Sequence, residues 1–285
     1  MYFPGRNLDR AHAAGLSHVV YGPNFGHFIF EYLNRLAIFD LYGLTERLPV
    51  VVYDCVPKRW LGFLELMGVL PGRILQVPIE SPPAYRKAWV SSACHYRDGA
   101  GKFRIWPSGL HWLRQRLSRA IGGPQLHKHR WLYLGRENSQ WRKIVNQDQV
   151  RQALAAYGLE CPEMGNLSAR EQLEIISGAD IVVSAAGAGS VMTHFAPEHC
   201  ICILLAPRAV GTGYWGGLGA SIILRQTYER LDCEVIESPD LDRPGNVGGI
   251  SEVADYIVDL DLLRRVVEVS LQNVVQNQRW DALAL

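Results

Sequence analysis

Short runs of aliphatic and β-branched residues alternate with amphipathic stretches along most of this 285-residue chain. Runs of this kind, bounded by glycine, proline or polar residues, are typical of strands, whereas the stretches between them place apolar residues at helical spacing. The alternation favours a parallel sheet covered by helices, and therefore an α/β fold. The predicted strands are residues 19–21, 50–53, 74–77, 88–90, 131–134, 181–183, 201–205 and 233–236. The predicted helices are residues 28–44, 60–67, 112–121, 147–157, 169–177, 190–195 and 261–278.

The clearest break in this pattern is Gly122-Gly123-Pro124. Glycine and proline together interrupt helices and strands, so we expect a domain boundary here. The length suits two domains, and we predict Rossmann-like domains at 1–124 and 125–285 that face a cleft. Ligands of such sheets bind beyond the carboxyl ends of the strands. The terminal helix is a candidate for packing back onto the first domain.

Charge and cysteine content exclude several classes of function. Lys and Arg number 29 against 28 Asp and Glu, and this balance argues against a nucleic-acid-binding surface. The six cysteines form no C-x-x-C pair and the histidines lack partners at ligand spacing, so we predict no metal site. We find no run of roughly 20 apolar residues and no secretory leader. We therefore expect a soluble, cytoplasmic protein, with peripheral membrane association left open.

The sharpest local feature is the turn Gly187-Ala188-Gly189-Ser190, which joins a hydrophobic strand to a predicted helix. Small residues let the backbone approach a ligand closely, and the first amides of a helix offer hydrogen bonds and partial positive charge to phosphate. Tight packing of strand against helix would use the same residues. The turn alone therefore leaves phosphate binding and packing equally open.

Two arginines strengthen the phosphate interpretation. Arg136 follows the strand at 131–134 almost directly, so it is expected at the carboxyl ends of the strands, and Arg142 follows six residues later. Guanidinium groups can grip a diphosphate through paired hydrogen bonds. The alternative is a solvated loop with surface arginines.

A histidine and a glutamate mark the start of the first predicted helix. His27 and Glu31 are four residues apart after Asn24, and this spacing puts both side chains on one helical face. Either group can take a proton from a hydroxyl as a general base. A capping histidine paired with a helix glutamate is the other interpretation.

Taken in order, these elements resemble glycosyltransferase family 61, whose members include enzymes of capsular and surface polysaccharides. Each element is modest alone, but the ordered set is fairly specific, and residues 55–125 contribute nothing comparable. The elements that carry the resemblance are Asn24, Gly26, His27 and Glu31; Arg136, Arg142 and Asn146; Leu167, Ser168, Glu171 and Gln172; the Gly187-Ala188-Gly189 turn; and the tail 255–259.

The resemblance implies a GT-B-like fold and inverting transfer of a hexosyl or pentosyl group from a nucleotide sugar to a glycan acceptor. It assigns the donor to the C-terminal half, with Arg136, Arg142, Asn146 and the residues from Gly187 to Ser190 holding it. His27 or Glu31 activates the acceptor hydroxyl, while Asn24, Glu171, Gln172 and Trp215 are candidates for supporting roles. No cofactor is expected, because arginines and helix amides neutralise the leaving diphosphate without a metal.

Four positions depart from the family pattern. The turn of the family reads His-Gly-Ala-Gly and is soon followed by Asn, whereas this chain has Ala186 and Met192. Gln147 stands where Glu is frequent, and Leu204 where an acidic residue is expected in the next strand. A degenerate relative that only binds or scaffolds is therefore an alternative. A dinucleotide-dependent oxidoreductase is disfavoured, because Gly187-x-Gly189 lacks the third glycine of that fingerprint.

Overall fold

The computed structural model describes residues 13–15, 24–81, 83, 88–91, 95–97, 103–136, 139, 142–208, 217–236 and 254–283. The predicted strand at 19–21 and Trp215 lie outside these residues. The chain is a mixed α/β protein that divides into two compact units. The first unit contains the described residues up to Gly123 together with Leu167–Leu173, and the second contains the remainder.

The first unit is built on a four-stranded sheet in which every neighbouring pair is parallel. Its strand order is β3-β2-β1-β4, so consecutive strands are joined by crossovers, as the alternating pattern predicts. A separate antiparallel pair, β5 and β6, follows in the chain. The strands are β1 (Ala13–Gly15), β2 (Val50–Tyr53), β3 (Ile74–Val77), β4 (Ala88–Val90), β5 (His95–Arg97) and β6 (Phe103–Ile105).

The helices of this unit confirm three predicted helices and correct their starts. The first begins earlier than predicted, because Asn24 caps it, and six buried or half-buried residues then adopt π-helical geometry. The predicted helix at 112–121 also begins earlier, at Pro107, which suits a first helical turn because it has no N–H to satisfy. The segments are α1 (Phe25–His27), the π-helix Phe28–Leu33, α2 (Asn34–Leu41), α3 (Lys58–Leu66), the 3₁₀ helix Pro71–Arg73 and α4 (Pro107–Ala120).

The second unit is built on a five-stranded sheet with the order β11-β10-β9-β8-β7. The four strands from β7 to β10 are mutually parallel, and β11 pairs with β10 in the antiparallel sense. Three predicted strands are confirmed, whereas the fourth, predicted at 233–236, begins six residues earlier. The strands are β7 (Arg130–Leu134), β8 (Ala179–Ala185), β9 (Ile201–Pro207), β10 (Thr227–Val235) and β11 (Tyr256–Ile257).

The helix after the glycine turn begins two residues earlier than predicted. It is a 3₁₀ helix, Ala188–Phe195. The remaining helices are close to the predicted ranges, although the last is longer. They are α5 (Gln147–Ala155), α6 (Ala169–Ile176), α7 (Gly217–Ile223) and α8 (Leu260–Leu283), with short 3₁₀ turns at Leu126–Lys128 and Met164–Asn166.

The core of the second unit lies between its sheet and helices α5 and α8. Val150 and Leu154 of α5 and Leu263 and Val267 of α8 are buried against the strands. Burying each such side chain stabilises the folded state by about 1.5–3 kcal/mol, so these contacts fix α5 and α8 against the sheet. None of the helices in the described part of the chain is long and apolar enough to cross a membrane.

Candidate functional site

The candidate phosphate site lies where β7 and β8 end side by side. These strands are parallel neighbours, with Leu134 opposite Ser184, so their carboxyl ends fall on the same edge of the sheet. Arg136 follows the end of β7 by two residues, and the glycine turn begins two residues after the end of β8. Sheet topology therefore brings together two elements that are 50 residues apart in the chain.

A hydrogen bond joins these two elements. Nη1 of Arg136 donates to the carbonyl oxygen of Ala186 at 2.7 Å. A Cβ placed on Gly187 would overlap the guanidinium of Arg136, so the arginine lies directly against the glycine. The backbone of Gly187 is extended, with φ −174°, and any residue can adopt it. With Arg136 in its observed position, only glycine fits at 187, a contact that the sequence did not reveal.

The backbone amides of the turn suit an anion. Among the described residues, none accepts a hydrogen bond from the backbone N–H groups of Gly187, Ala188 or Gly189. The first N–H groups of any helix lack intrahelical acceptors and carry partial positive charge. Gly189 is exposed, and a Cβ there would meet nothing within 4 Å. Gly187 itself is buried, so the turn presents the backbone donors of Ala188 and Gly189 beside a guanidinium.

Ser190 has a different position from the one expected of a donor ligand. Its N–H donates to the Gly187 carbonyl at 3.1 Å, and its hydroxyl donates to the same oxygen at 2.8 Å. The side chain is also buried. Ser190 therefore closes the turn from beneath, and it shapes the amide row of Gly187-Ala188-Gly189.

The loop that carries Arg142 is tied to the C-terminal strand. Arg142 has φ 54°, in the left-handed region that non-glycine residues rarely adopt. Four residues later, the amide side chain of Asn146 donates to the Val258 carbonyl at 2.8 Å and accepts from the Val258 N–H at 3.0 Å. Asn146, predicted to bind the donor, is thus engaged with the backbone of Val258 and fixes the loop.

Tyr256 lies beside the candidate site, and the sequence assigned it no role. It is fully buried, and its hydroxyl donates to the Leu205 carbonyl at 3.1 Å. Burial raises the pKa of Tyr256 well above its usual range, while the nearby Arg136 charge opposes that shift. The only sequence signal for Tyr256 was its place in the tail 255–259, one of the elements on which the resemblance to family 61 was based.

Two of the four departures from the family pattern lie together in the structure. Ala186 and Leu204 are buried in one small apolar cluster with Ala206, and Tyr228 packs against it. Met192, a third departure, is also buried, with 1% of its surface exposed. Apolar side chains thus occupy three positions at which the family pattern has polar residues, and Ala186 and Leu204 belong to the same cluster.

A small cavity lies beneath the 3₁₀ helix that follows the turn. Its volume is about 10 Å³, which is room for roughly one water molecule. A nucleotide or sugar is far larger, so a donor would have to occupy the open side of the turn. The lining residues are Ser184, Ser190, Thr193, His194, Cys202, Ile203, Leu204, Gly217 and Tyr228.

The candidate general base lies in the first unit. Nδ1 of His27 and Oε1 of Glu31 are 2.6 Å apart, and 45% of the His27 side chain is exposed against 18% of Glu31. The Asn24 side chain accepts from the N–H groups of Gly26 and His27 at 2.9 and 3.3 Å and so begins the helix. The predicted pairing of His27 with Glu31 is present, and Asn24 acts as the helix cap.

Glu171 and Gln172 serve the backbone around them. Oε2 of Glu171 accepts from the N–H and the hydroxyl of Ser168 at 2.8 and 2.7 Å, and the Ser168 hydroxyl accepts from the Glu171 N–H at 3.3 Å. This reciprocal arrangement is a capping box. The bonds from Ser168 lower the pKa of Glu171. Gln172 donates to the Leu167 carbonyl at 3.0 Å, so both side chains brace the helix start.

Within the described residues, no cluster of three or more His, Cys, Asp or Glu side chains is arranged to hold a metal ion. A sequence comparison with curated proteins finds no match. The family model described as Glycosyltransferase 61 matches residues 25–203, which is more than half of the chain and includes both the His27–Glu31 pair and the Arg136–Gly187 site. The chain therefore belongs to glycosyltransferase family 61.

Proposed function

We propose that this protein is an inverting glycosyltransferase that moves a sugar from a nucleotide-sugar donor to a hydroxyl acceptor. Family membership implies glycosyltransferase activity. The nucleotide-sugar donor, the hydroxyl acceptor and the inversion of stereochemistry are what we propose. The observation that carries it is the Arg136 guanidinium bonded to Ala186 beside the amides of Ala188 and Gly189, which donate to no acceptor among the described residues. A cation next to a row of backbone donors suits the diphosphate of a nucleotide sugar.

The same arrangement suits the departure of the diphosphate leaving group. As the glycosidic bond to phosphate breaks, negative charge builds on the diphosphate, and fixed donors stabilise it at no cost of reorganisation. Arg136 supplies a full charge and the turn supplies partial charges. Arg142 is proposed as a second cation, held by its loop. The proposal requires no metal because these groups supply the compensating charge.

The acceptor must be deprotonated for an inverting attack, and we assign this step to the His27–Glu31 pair. With the Glu31 carboxylate accepting from Nδ1–H, the lone pair of His27 is on Nε2, which can take the hydroxyl proton. Glu31 then orients the ring and stabilises its positive charge, as a carboxylate does beside a catalytic imidazole. The more exposed His27 is the proposed base.

The proposal also includes the features that family resemblance alone suggests. These are a GT-B-like pairing of two Rossmann-like domains, a hexosyl or pentosyl group, a glycan acceptor and a cytoplasmic reaction in polysaccharide synthesis. They depend on the family and on no contact described above.

Calorimetric titration with uridine, guanosine and cytidine phosphates tests the donor site directly. We expect one of them to bind, and Arg136→Ala to weaken its binding more than tenfold, because a charge-assisted contact worth about 1.5–3 kcal/mol is lost. Arg264→Ala is the matched control, since Arg264 is an exposed arginine of the same unit that pairs with Asp261. An unchanged dissociation constant for Arg136→Ala would remove this arginine from the site.

A second candidate function is nucleotide or glycan binding without catalysis. The apolar cluster of Ala186, Leu204 and Ala206 favours it, because two polar groups expected near the donor are missing there. Hydrolysis and transfer assays with the nucleotide sugars of the best-bound nucleotide separate the two candidates. Tight binding without turnover on any acceptor would establish the binding function, whereas release of the nucleoside diphosphate would establish the enzyme.

A further inference from the structure

The segment Asp255–Val258, which we name the tail clip, lies outside the residues that the family model matches. It contains the short strand β11, whose residues Tyr256 and Ile257 pair with Val235 and Glu234 of β10. Pairing with β10 alone would make it an edge strand of the sheet. Further hydrogen bonds link it to residues 143–146 and to Leu205.

One side of the tail clip fixes the loop that follows Arg142. The N–H of Tyr256 donates to the Lys143 carbonyl and the N–H of Val145 donates to the Tyr256 carbonyl, both at 2.9 Å. The Lys143 N–H donates to a carboxylate oxygen of Asp255 at 2.9 Å. With the two bonds between Asn146 and Val258, this side of the clip makes five hydrogen bonds to residues 143–146.

The other side reaches the glycine turn through one side chain. The Tyr256 hydroxyl donates to the Leu205 carbonyl at 3.1 Å, and the same oxygen accepts from the Ala186 N–H at 2.9 Å. The Ala186 carbonyl in turn accepts from Arg136 at 2.7 Å. A continuous series of hydrogen bonds therefore runs from Tyr256 through Leu205 and Ala186 to the guanidinium.

We propose that Tyr256 is a positioning residue for the donor-phosphate site, holding the glycine turn and Arg136 through the Leu205 carbonyl. The role in donor binding rests on the proposed function, whereas the hold on the turn is a property of this fold. The hydroxyl remains a donor at ordinary assay pH, because burial keeps it protonated. The Leu205 carbonyl accepts from both the Tyr256 hydroxyl and the Ala186 N–H, so the hydroxyl acts by fixing the position of the oxygen to which the turn is bonded.

A purely structural role would be to fill the core, and Tyr133 offers the comparison. Both tyrosines belong to the same core cluster and are almost completely buried. Among the described residues, the Tyr133 hydroxyl has no hydrogen-bond partner. Tyr133→Phe therefore removes a buried hydroxyl of the same unit without removing a bond, and it serves as the matched control for Tyr256→Phe.

The first measurement is amide hydrogen exchange of the peptide that spans residues 184–193, compared among wild type and the two variants. Tyr256→Phe should accelerate exchange near Ala186 by roughly three- to tenfold, the effect of one lost buried hydrogen bond, while Tyr133→Phe leaves it unchanged. This readout needs no ligand. Equal exchange in the two variants would overturn the proposed hold on the turn.

The second measurement is the dissociation constant of the nucleoside diphosphate that wild type binds best. We expect Tyr256→Phe to raise it by about three- to tenfold and to leave the acceptor KM unchanged, whereas uniform loss of stability would lower all activities together. Faster exchange with an unaltered dissociation constant would overturn the role in donor binding. If wild type binds none of the nucleotides and Tyr256→Phe still exchanges faster than wild type, the hold on the turn is supported and the proposed function is refuted.

Asn146→Ala tests the opposite side of the clip and remains informative if Tyr256→Phe fails to fold. Loss of the two bonds to Val258 should accelerate exchange in residues 143–146 by about tenfold and leave the peptide 184–193 unaffected. Acceleration throughout the second unit would show that the contacts only stabilise the fold, and would overturn separate positioning of loop and turn.

Discussion

The glycine turn of the second unit and the helix start at His27 in the first are organised in opposite ways. The turn is held by residues distant in the chain, with Arg136 bonded to Ala186 and Tyr256 bonded to Leu205. The His27–Glu31 pair is local, four residues apart on one helix, with nearly half of the histidine side chain exposed. The first region depends on the sheet, and the second on one helical turn.

This difference indicates how each region responds to substitution. Rigid, mutually bonded groups suit a fixed anion, because donors that are already oriented lose little freedom on binding. A partly exposed histidine suits proton transfer, because it must reach a solvent-accessible hydroxyl. Substitutions at the turn should therefore alter binding through neighbouring residues, whereas substitutions at the helix start should alter turnover alone.

The largest effect is expected from removal of the general base. His27→Ala should lower the transfer rate by about 10²- to 10⁴-fold, the usual contribution of general base catalysis, without changing donor binding. Glu31→Gln should lower it less, because the ring loses a charged partner and keeps its own nitrogen. Rates of product formation at saturating donor, with calorimetry for donor affinity, measure both quantities.

His111→Ala is the control, since His111 is an exposed histidine on a helix of the same unit. It should leave both the rate and the affinity unchanged. Full activity of both His27→Ala and Glu31→Gln would refute the assignment of the base and leave the donor site unaffected.

The next largest effect is expected at Gly187. A Cβ there must displace the Arg136 guanidinium, so Gly187→Ala should weaken nucleotide binding more than tenfold through the loss of that contact. The free energy of unfolding should change by only about 1 kcal/mol, because a flexible side chain can move away. Titration calorimetry and urea denaturation measure the two effects separately.

Gly165→Ala provides the control in the same unit, since Gly165 lies outside the turn and its Cβ would meet no atom within 4 Å. The comparison between the two alanines isolates the space filled by Arg136. If both variants bind the nucleotide as wild type does, the contact between Arg136 and Gly187 has no part in the donor site.

A smaller effect is expected at Asn34, beside the helix start. Asn34 is fully buried, and among the described residues neither polar atom of its side chain has a hydrogen-bond partner. An unsatisfied buried amide is costly, so Asn34→Leu should raise the free energy of unfolding by about 1 kcal/mol. Urea denaturation measures this change. A destabilised variant would contradict the prediction and show that the amide is bonded in solution.

The smallest effect is expected at Glu171. Its pKa is lowered by the bonds from Ser168, so the folded state favours the carboxylate. The stabilisation is therefore complete above the unfolded pKa of about 4.3 and is lost as the pH falls through the lower folded pKa. Thermal unfolding of wild type and Glu171→Gln should differ at neutral pH and converge in acid. A pH-independent difference would contradict this account.

Local patterns in the sequence predicted much of the fold. Runs of aliphatic residues identified β2, β3, β7, β8 and β9, and glycines with positive φ end helices near their predicted limits, as at Gly43 and Gly68. The 3₁₀ geometry after the turn was not predictable, because small residues allow α and 3₁₀ helices alike. The early start of the first helix followed from Asn24, whose capping role the sequence permitted without requiring.

The sequence by itself determined the alternation of strands and helices, the i,i+4 pairing of His27 with Glu31, and the family. These depend on residue types at short spacing, which local backbone geometry turns directly into structure. Only the tertiary structure decided that Gly187 makes room for Arg136, that Asn146 engages Val258, and that Tyr256 reaches Leu205. Those contacts join residues 50 to 112 positions apart, and the order of strands in the sheet, which no local pattern encodes, brings them together.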